Sequence, residues 1–512
     1  AGHGLFPWDM SRTISCRIRC AGAAAAIVFA TMAQAAPASN HADLLWLDRI
    51  TYGVNSSSLA AFEQMGRRDY LDAQLGARDE HLPQAVQAQI DAMPISHHGI
   101  DDDIATLVAA RDKLKTIDDT QAKVEQRKAL RKQGIALAVQ TQERELLRAV
   151  YSPAQLKEQM VWFWLNHFNV FDRKGPEAWL DADYVENAIR PHALGNFRDL
   201  VMATLTHPAM LVYLDNARNA AKQHNENYAR ELMELHTLGV NAGYTQNDVQ
   251  EMVRILTGVG VALNPRTPRL RQNQQALPIR HDGFEFNPAR HDFGDKLLLG
   301  HSIRGSGFDE VRQAVDLLVA QPACAHFISG QLATYFVSDN PPAALVDAMA
   351  ETFQRTHGDI RSVLRTLFDA PEFAASLGKK FKDPMHYLVS SLRLAYDGHE
   401  VPDPRRLVVW LNQQGEGEFG HQTPDGYPLV ASAWDSSGQM SARFELARMI
   451  GAGDVHLFDG VAMPTVPQLS GPLFAQAIKP WLSKPTLAAL TQAQSPLEWN
   501  TYLLAAPESN YR

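Results

Sequence analysis

The chain has 512 residues, a hydrophobic content of 45% and a formal charge of −9 spread along its length. Such a length and apolar content suffice for two or three hydrophobic cores and exclude a fibrous or low-complexity chain. No basic patch is present, and no aromatic residues stand among clustered lysines and arginines, which argues against a nucleic-acid partner.

The first 35 residues have the layout of a targeting segment. Met10 opens "MSRTISCRIRC", with Arg12, Arg17 and Arg19, followed by the apolar "AGAAAAIVFATMA" and the small residues "AQA" at 33–35. This three-part pattern over 10–35 predicts a secretory signal peptide cleaved before Ala36, with residues 1–9 upstream of the start. A membrane anchor would need about 20 apolar residues, and this run is shorter and Ala-rich. The mature protein is therefore expected to be exported, periplasmic or secreted, with no integral membrane segment. It should span 36–512 as one large helical unit, with sub-lobes at 41–260 and 307–512. Loss of Cys16 and Cys20 with the signal leaves Cys324, which excludes an intramolecular disulfide and a cysteine-based metal site.

Helical spacing dominates the rest of the chain. "HADLLWLDRITYG" (41–53), "SSSLAAFEQMG" (56–66) and "RRDYLDAQL" (67–75) predict three short helices, and a softer connector carries His97 and His98 beside Asp101–Asp103 in a solvated loop. The Lys/Arg/Gln-rich stretch 104–150 predicts a helical hairpin with an exposed, ion-paired face. A tryptophan-rich helix is expected to start with Ser152 as cap and Pro153 in the first turn, and to run toward Asn169. Further helices are expected at 184–190, 196–206, 226–238, 246–257, 307–320, 322–337, 341–356, 359–369, 384–397 and 440–450. Residues 262–306 are rich in proline and glycine and predict a long excursion with a small β-hairpin, and 416–438 is a second turn-rich stretch. The expected fold is mainly α, a multi-helical globular bundle with a long loop and β-hairpin excursion at about 262–306.

Familiar signatures fail on inspection. "GEGEFG" (415–420) matches a dinucleotide fingerprint in letters, but the adjoining "HQTPDGYP" cannot be helical, and Glu416 and Glu418 would repel phosphate. "GHSIRG" (300–305) misses the nucleophile elbow by one residue, and neither a phosphate-binding loop nor H-E-x-x-H occurs.

Chemistry-bearing residues concentrate in "HNENYARELMELHTLG" (224–239). At about 100° per residue, Asn227, Arg230, Glu231 and Glu234 share one stripe, while Tyr228, Ala229, Leu232 and Met233 share the opposite face with His236. Glu231 and Glu234 could share a metal, whereas His236 on the same straight helix could not join them. The segment "MVWFWLNHFNVF" (160–171) is apolar all round and should be buried, with Trp162 and Trp164 as core residues. Its Asn166 and His167 then need hydrogen-bond partners, which the polar stripe would supply if the two helices pack together. In the excursion, His291 has Asp292 beside it and Lys296 further on, a pair suited to general-base or metal-ligand work.

Two readings of these residues stay open beside that of a plain solvated surface. In one, Glu231, Glu234, Arg230, His291 and Asp292 form a catalytic set, and Glu231, Glu234, His167 and His291 hold a divalent metal such as zinc, manganese or iron, with His207 as a further donor. In the other, an arginine–glutamate–asparagine network that includes Asn166, Asn227 and a hydrogen-bonded core His236 simply locks a helix pair. Thr245 and Asp248 predict a capping box before 246–257, Gly258 its end, and "PDGYP" (424–428) a rigid turn that could, with Trp434, frame a sugar-like ligand.

Several segments together resemble one bacterial family, domain of unknown function 1800. They include "LWLDRITYGVNSSSLAAFEQMG", "WFWLNHF", "HPAMLVYLDN", "NENYARELMELHTLGVNAGYTQNDVQEMVRILTG", "HDFGDKLLLG", "KFKDPMHYLVSSLRL" and "PDGYP". The chain departs from the usual pattern in having "GVGV" where the family often has "GW" after the 246–257 helix. The resemblance implies an exported, largely helical bacterial protein, often encoded beside a sulfatase- or phosphatase-like family that would be its exported partner. It supplies no catalytic residues. The function expected from the residues is metal-assisted or acid/base hydrolysis outside the cytoplasm, with Arg230 binding an anionic group; the alternative is a non-enzymatic scaffold or accessory protein.

Overall fold

Local capping signals set many of the helix boundaries. Asn40 accepts the Asp43 N–H (3.0 Å) and starts the helix His41–Ile50, and Asn55 does the same for Ser58 (3.0 Å) at the head of Ser56–Gly76. Gly66, at φ +76°, breaks that second helix where two separate helices are expected. The computed structural model describes residues 40–77, 81–262, 269–454, 457–458 and 466–512. The expected signal peptide at 10–35 lies outside the described residues.

The Lys/Arg-rich stretch forms the hairpin Ile100–Thr116 and Thr120–Tyr151. The connector before it is partly helical, at Gln84–Ala92, because Val86 and Ile90 lie four residues apart and bury with Ile95, Leu137, Leu147 and Trp179 in a satellite core under the hairpin. The tryptophan helix begins at Gln155, later than Pro153, because Ser152 closes the preceding helix and its hydroxyl accepts the Ala154 N–H (3.1 Å). It ends at His167 with Trp164 fully buried.

The excursion is more ordered than a lone hairpin. β1 (Val259–Val261), β2 (Ile279–His281) and β3 (Phe284–Phe286) form an antiparallel sheet in the order β1-β3-β2, and β4 (Lys296–Leu298) pairs with β5 (His301–Ile303). Asp282-Gly283 joins β2 to β3 and Leu299-Gly300 joins β4 to β5, each with positive φ at both positions. Such two-residue turns match the twist of the strands they join. Beyond the excursion the chain is helical again, with Phe308–Ala320, Pro322–Phe336, Ala343–Arg355, Ile360–Asp369, Pro384–Ala395, Arg405–Gln413 and Ser437–Ala452.

One continuous core draws on both halves: Trp46, Trp164, Phe168 and Leu232 from the first, and Tyr335, Phe336, Tyr387 and Trp410 from the second. No helix among the described residues is long and apolar enough to cross a membrane.

Candidate functional site

The second turn-rich stretch is stitched onto the end of the tryptophan helix. The Asn166 carboxamide donates to the Tyr427 carbonyl (2.9 Å) and accepts the Tyr427 N–H (2.6 Å), and Asn169 donates to the carbonyls of His421 and Thr423 (2.9 Å each). Tyr213 donates its hydroxyl to the Gln422 carbonyl (2.8 Å). Gly426 sits at φ +70°, and a Cβ there would lie 2.2 Å from the Asn166 carbonyl oxygen, so the close approach requires glycine. Asn166 thus finds its partners in loop backbone, which offers a donor and an acceptor side by side, and not in the polar stripe.

The polar segment itself starts as an α-helix, Asn227–Glu231, and continues as a π-helix, Leu232–Thr237. Tyr228, Ala229, Leu232, Met233 and His236 are buried, as the wheel requires. The stripe faces outward, with Asn227 exposed and Arg230, Glu231 and Glu234 half-buried. The expected meeting of His167 with that stripe is therefore corrected: His167 Nε2 reaches the backbone carbonyl of His236 (3.0 Å), on the buried side of the segment. His236 is fully buried, and neither ring nitrogen has a hydrogen-bond partner among the described residues, contrary to the expected satisfied histidine. Burial, with His167 beside it, pushes its pKa well below the ordinary value, so the ring is neutral.

His291 and Asp292 are occupied elsewhere and do not act as a pair. His291 is buried between the Thr257 carbonyl (Nδ1, 2.7 Å) and Glu310 (Nε2, 2.9 Å), and Glu310 also pairs with Lys296. Asp292 is gripped by Arg254 (2.8 and 3.3 Å), which holds its carboxyl down at about 2. These bonds tie the excursion to the helices Gln246–Ile255 and Phe308–Ala320. The former starts with the expected Thr245–Asp248 capping box. His207 is likewise used, accepting the Ala209 N–H (3.1 Å) and facing Asp183 (3.0 Å). Among the described residues no three His, Cys, Asp or Glu side chains gather as a metal would need, so Glu231, Glu234, His167 and His291 do not form a metal site. The physical reason is that each imidazole is buried against backbone or a counter-ion, whereas the two glutamates face outward.

Of the stripe, Asn227 and Glu231 face a cavity of about 470 Å³, lined also by Arg173, Lys174, Tyr213 and Thr423 among others. Arg230 is not free for an anion, since it pairs with Glu226 (3.0 Å) and Gln246 (3.0 Å). The cations in the wall are Lys174, bonded to Asp215 (2.8 Å), and the exposed Arg173. Burial, with Glu234 adding repulsion, raises the Glu231 pKa above the ordinary carboxylate value. Asp425, on the loop beside Thr423, is pushed the other way: burial would raise it, but hydrogen bonds from Thr423 (2.5 Å) and His421 (3.2 Å) hold it low. Thr423, His421 and Asp425 are not a nucleophilic triad. The hydroxyl (3.0 Å) and the carboxylate both approach Nε2 of the imidazole, whereas a relay needs them on opposite nitrogens.

Of the residues at this cleft, Glu231 is expected as a catalytic residue or metal ligand and Asn227 as part of a structural network, whereas Arg173, Lys174 and Tyr213 in the wall and Asp425 on the adjoining loop carry no expectation. The turn "PDGYP" was the one legible signal for the last of these.

Fold and site together define a mainly α protein with a small polar cleft between the 227–237 segment and the 421–428 loop. A family model described as protein of unknown function (DUF1800) matches residues 45–511, and the chain belongs to that family. No curated protein and no solved structure matches it.

Proposed function

We propose that this protein is an exported acid/base hydrolase that works at the Glu231 cleft. Glu231 is the proton donor, Asp425 the ionised partner that activates water or steadies positive charge, and the exposed Arg173 holds an anionic group of the substrate. The observation that carries this reading is that half-buried Glu231 faces the loop carrying Asp425 across the cleft, with burial and neighbouring carboxyls pushing Glu231 upward while hydrogen bonds from Thr423 and His421 hold Asp425 low. Carboxyl pairs whose pKa values are pushed apart divide into acid and base over the pH range between them. Export is supported by the three-part layout of 10–35. No step runs through a metal.

The test is turnover of chromogenic 4-nitrophenyl glycosides, esters and sulfates by the purified mature protein. Glu231→Gln should lower kcat by about 10²–10⁴-fold, the ordinary contribution of a general acid, without lowering the melting temperature. Absence of turnover on every substrate, or full activity in Glu231→Gln, overturns the reading.

A second reading, an accessory protein for an exported partner, draws on the fact that Asn166, Arg230, His291 and Asp292 are all bonded within the fold. Under it, Glu231→Gln and Asp425→Asn would leave co-purification with that partner intact.

A further inference from the structure

A different cavity, of about 920 Å³, lies between the outer face of the helix Thr120–Tyr151 and the segment 172–179. On the long helix, Arg127, Leu130, Arg131, Gly134, Ile135 and Val139 line it. Their spacing of three and four residues places them on one helix face. The lining continues to Gln142, fifteen residues beyond Arg127, so the groove runs about 22 Å at the helical rise. Trp179 forms part of the opposite wall, and Gly134 is what lets it approach: a Cβ there would lie 2.7 Å from the indole nitrogen.

Two features of this groove are unexplained by folding. Ile135 is 49% exposed although it is a large apolar residue in the middle of the stripe. Arg127 and Arg131, one turn apart, are both exposed, and neither has an ion-pair partner among the described residues, although neighbouring Lys128 on another face pairs with Glu125 (3.0 Å). With Arg173 the wall holds three guanidinium groups against a single carboxyl, Asp172, which already lies 3.8 Å from Arg173. Burial raises that carboxyl to about 6, which weakens it further as a counter-charge.

We infer that the groove binds a long-chain amphiphile with an anionic head, its acyl chain along Leu130, Ile135, Val139 and Trp179 and its head between Arg127 and Arg131. The length and the apolar stripe suit a chain rather than a compact metabolite, and the unpaired arginines suit a carboxylate or phosphate, which guanidinium forks bind bidentately. This inference does not depend on the hydrolase reading. Arg173 lies in the walls of both cavities and is left unchanged in the test.

The experiment is calorimetric titration of the mature protein, below micelle-forming concentrations, with dodecanoate, 1-lauroyl-lysophosphatidate, neutral dodecyl maltoside and inorganic phosphate. At least one anionic amphiphile should bind more tightly than both the neutral amphiphile and phosphate. Dodecanoate alone assigns a carboxylate head and lysophosphatidate alone a phosphate head. Arg127→Gln/Arg131→Gln should weaken the anionic amphiphile at least 10-fold and leave the neutral one unchanged, and Ile135→Asp should weaken both. Equal affinity for charged and neutral amphiphiles, binding indifferent to these variants, or no binding by the folded protein each overturns the inference.

Discussion

The imidazole of His167 donates from Nε2 to the backbone carbonyl of His236 (3.0 Å), while the His236 ring, 6.1 Å away, has no hydrogen-bond partner on either nitrogen among the described residues. The tryptophan helix and the polar segment are therefore joined through a main-chain acceptor, and a bare imidazole sits inside the joint. Burial pushes His167 down to about 4 and His236 well below its ordinary value of 6.5.

These depressed values make a signed prediction about acid. Above about 6.5 the rings are neutral whether folded or not, so their contribution to stability is complete. Below that, the unfolded chain takes up protons that the folded one refuses, and stability is lost as pH falls toward 4, by about 1.4 kcal/mol per pH unit per ring. His236→Leu should flatten the slope of unfolding free energy between pH 6.5 and 5 by about that amount, measured by urea titration. An unchanged slope would show that His236 titrates normally.

Glu177 and Asp181 give the opposite sign. Both are fully buried, none of their four carboxyl oxygens has a hydrogen-bond partner among the described residues, and burial raises each pKa well above the ordinary value. Their folded forms hold protons that the unfolded chain gives up from about pH 4 upward, so they cost stability increasingly as pH rises. Glu177→Gln or Asp181→Asn should raise the melting temperature at pH 8 and change it little at pH 4.

The tie between the excursion and its helices rests on a buried charge pair. Glu310 and Lys296 are almost inaccessible, and Glu310 also receives His291. Glu310→Gln leaves the Lys296 ammonium buried without a counter-charge and should cost about 3–5 kcal/mol in chemical denaturation. Glu310→Gln/Lys296→Met should recover most of that loss.

Gly426→Ala tests the docking of the loop that carries Asp425. Positive φ alone costs about 1–3 kcal/mol for a residue with a side chain, and the overlap with the Asn166 carbonyl adds to it. The variant should be cut faster by protease at 421–428 while the helices keep their circular-dichroism signal. Protection equal to that of the parent protein would mean that the loop tolerates a displaced backbone.

At pH values where Glu231 is protonated and Asp425 ionised, turnover should be greatest. The profile should fall on the acid side with Asp425, whose value is held low, and on the alkaline side with Glu231, whose value is raised. Asp425→Asn should remove the acid limb.

Much of the fold was legible because its signals are local. The capping box at Thr245–Asp248, the hairpin of charged helices, the buried tryptophan stretch and the non-helical character of 262–306 all arise from residues within a few turns of one another. The division of 227–237 into a buried and an outward face was legible for the same reason. The partners of each face were not. Asn166 bonds to Tyr427 across 261 residues, and His291 to Glu310 and Asp292 to Arg254 through groups that no spacing announces.

The amino-acid sequence by itself determined where helices start and stop, which faces are apolar and which side chains carry charge, since these depend on backbone propensity and periodicity. The tertiary structure alone decided that Glu231 looks into a cleft with Lys174 and the 421–428 loop, and that His167, His207 and His291 are spent on backbone and counter-ions. Burial and the neighbours it brings set the protonation of each group, and those neighbours come from distant parts of the chain.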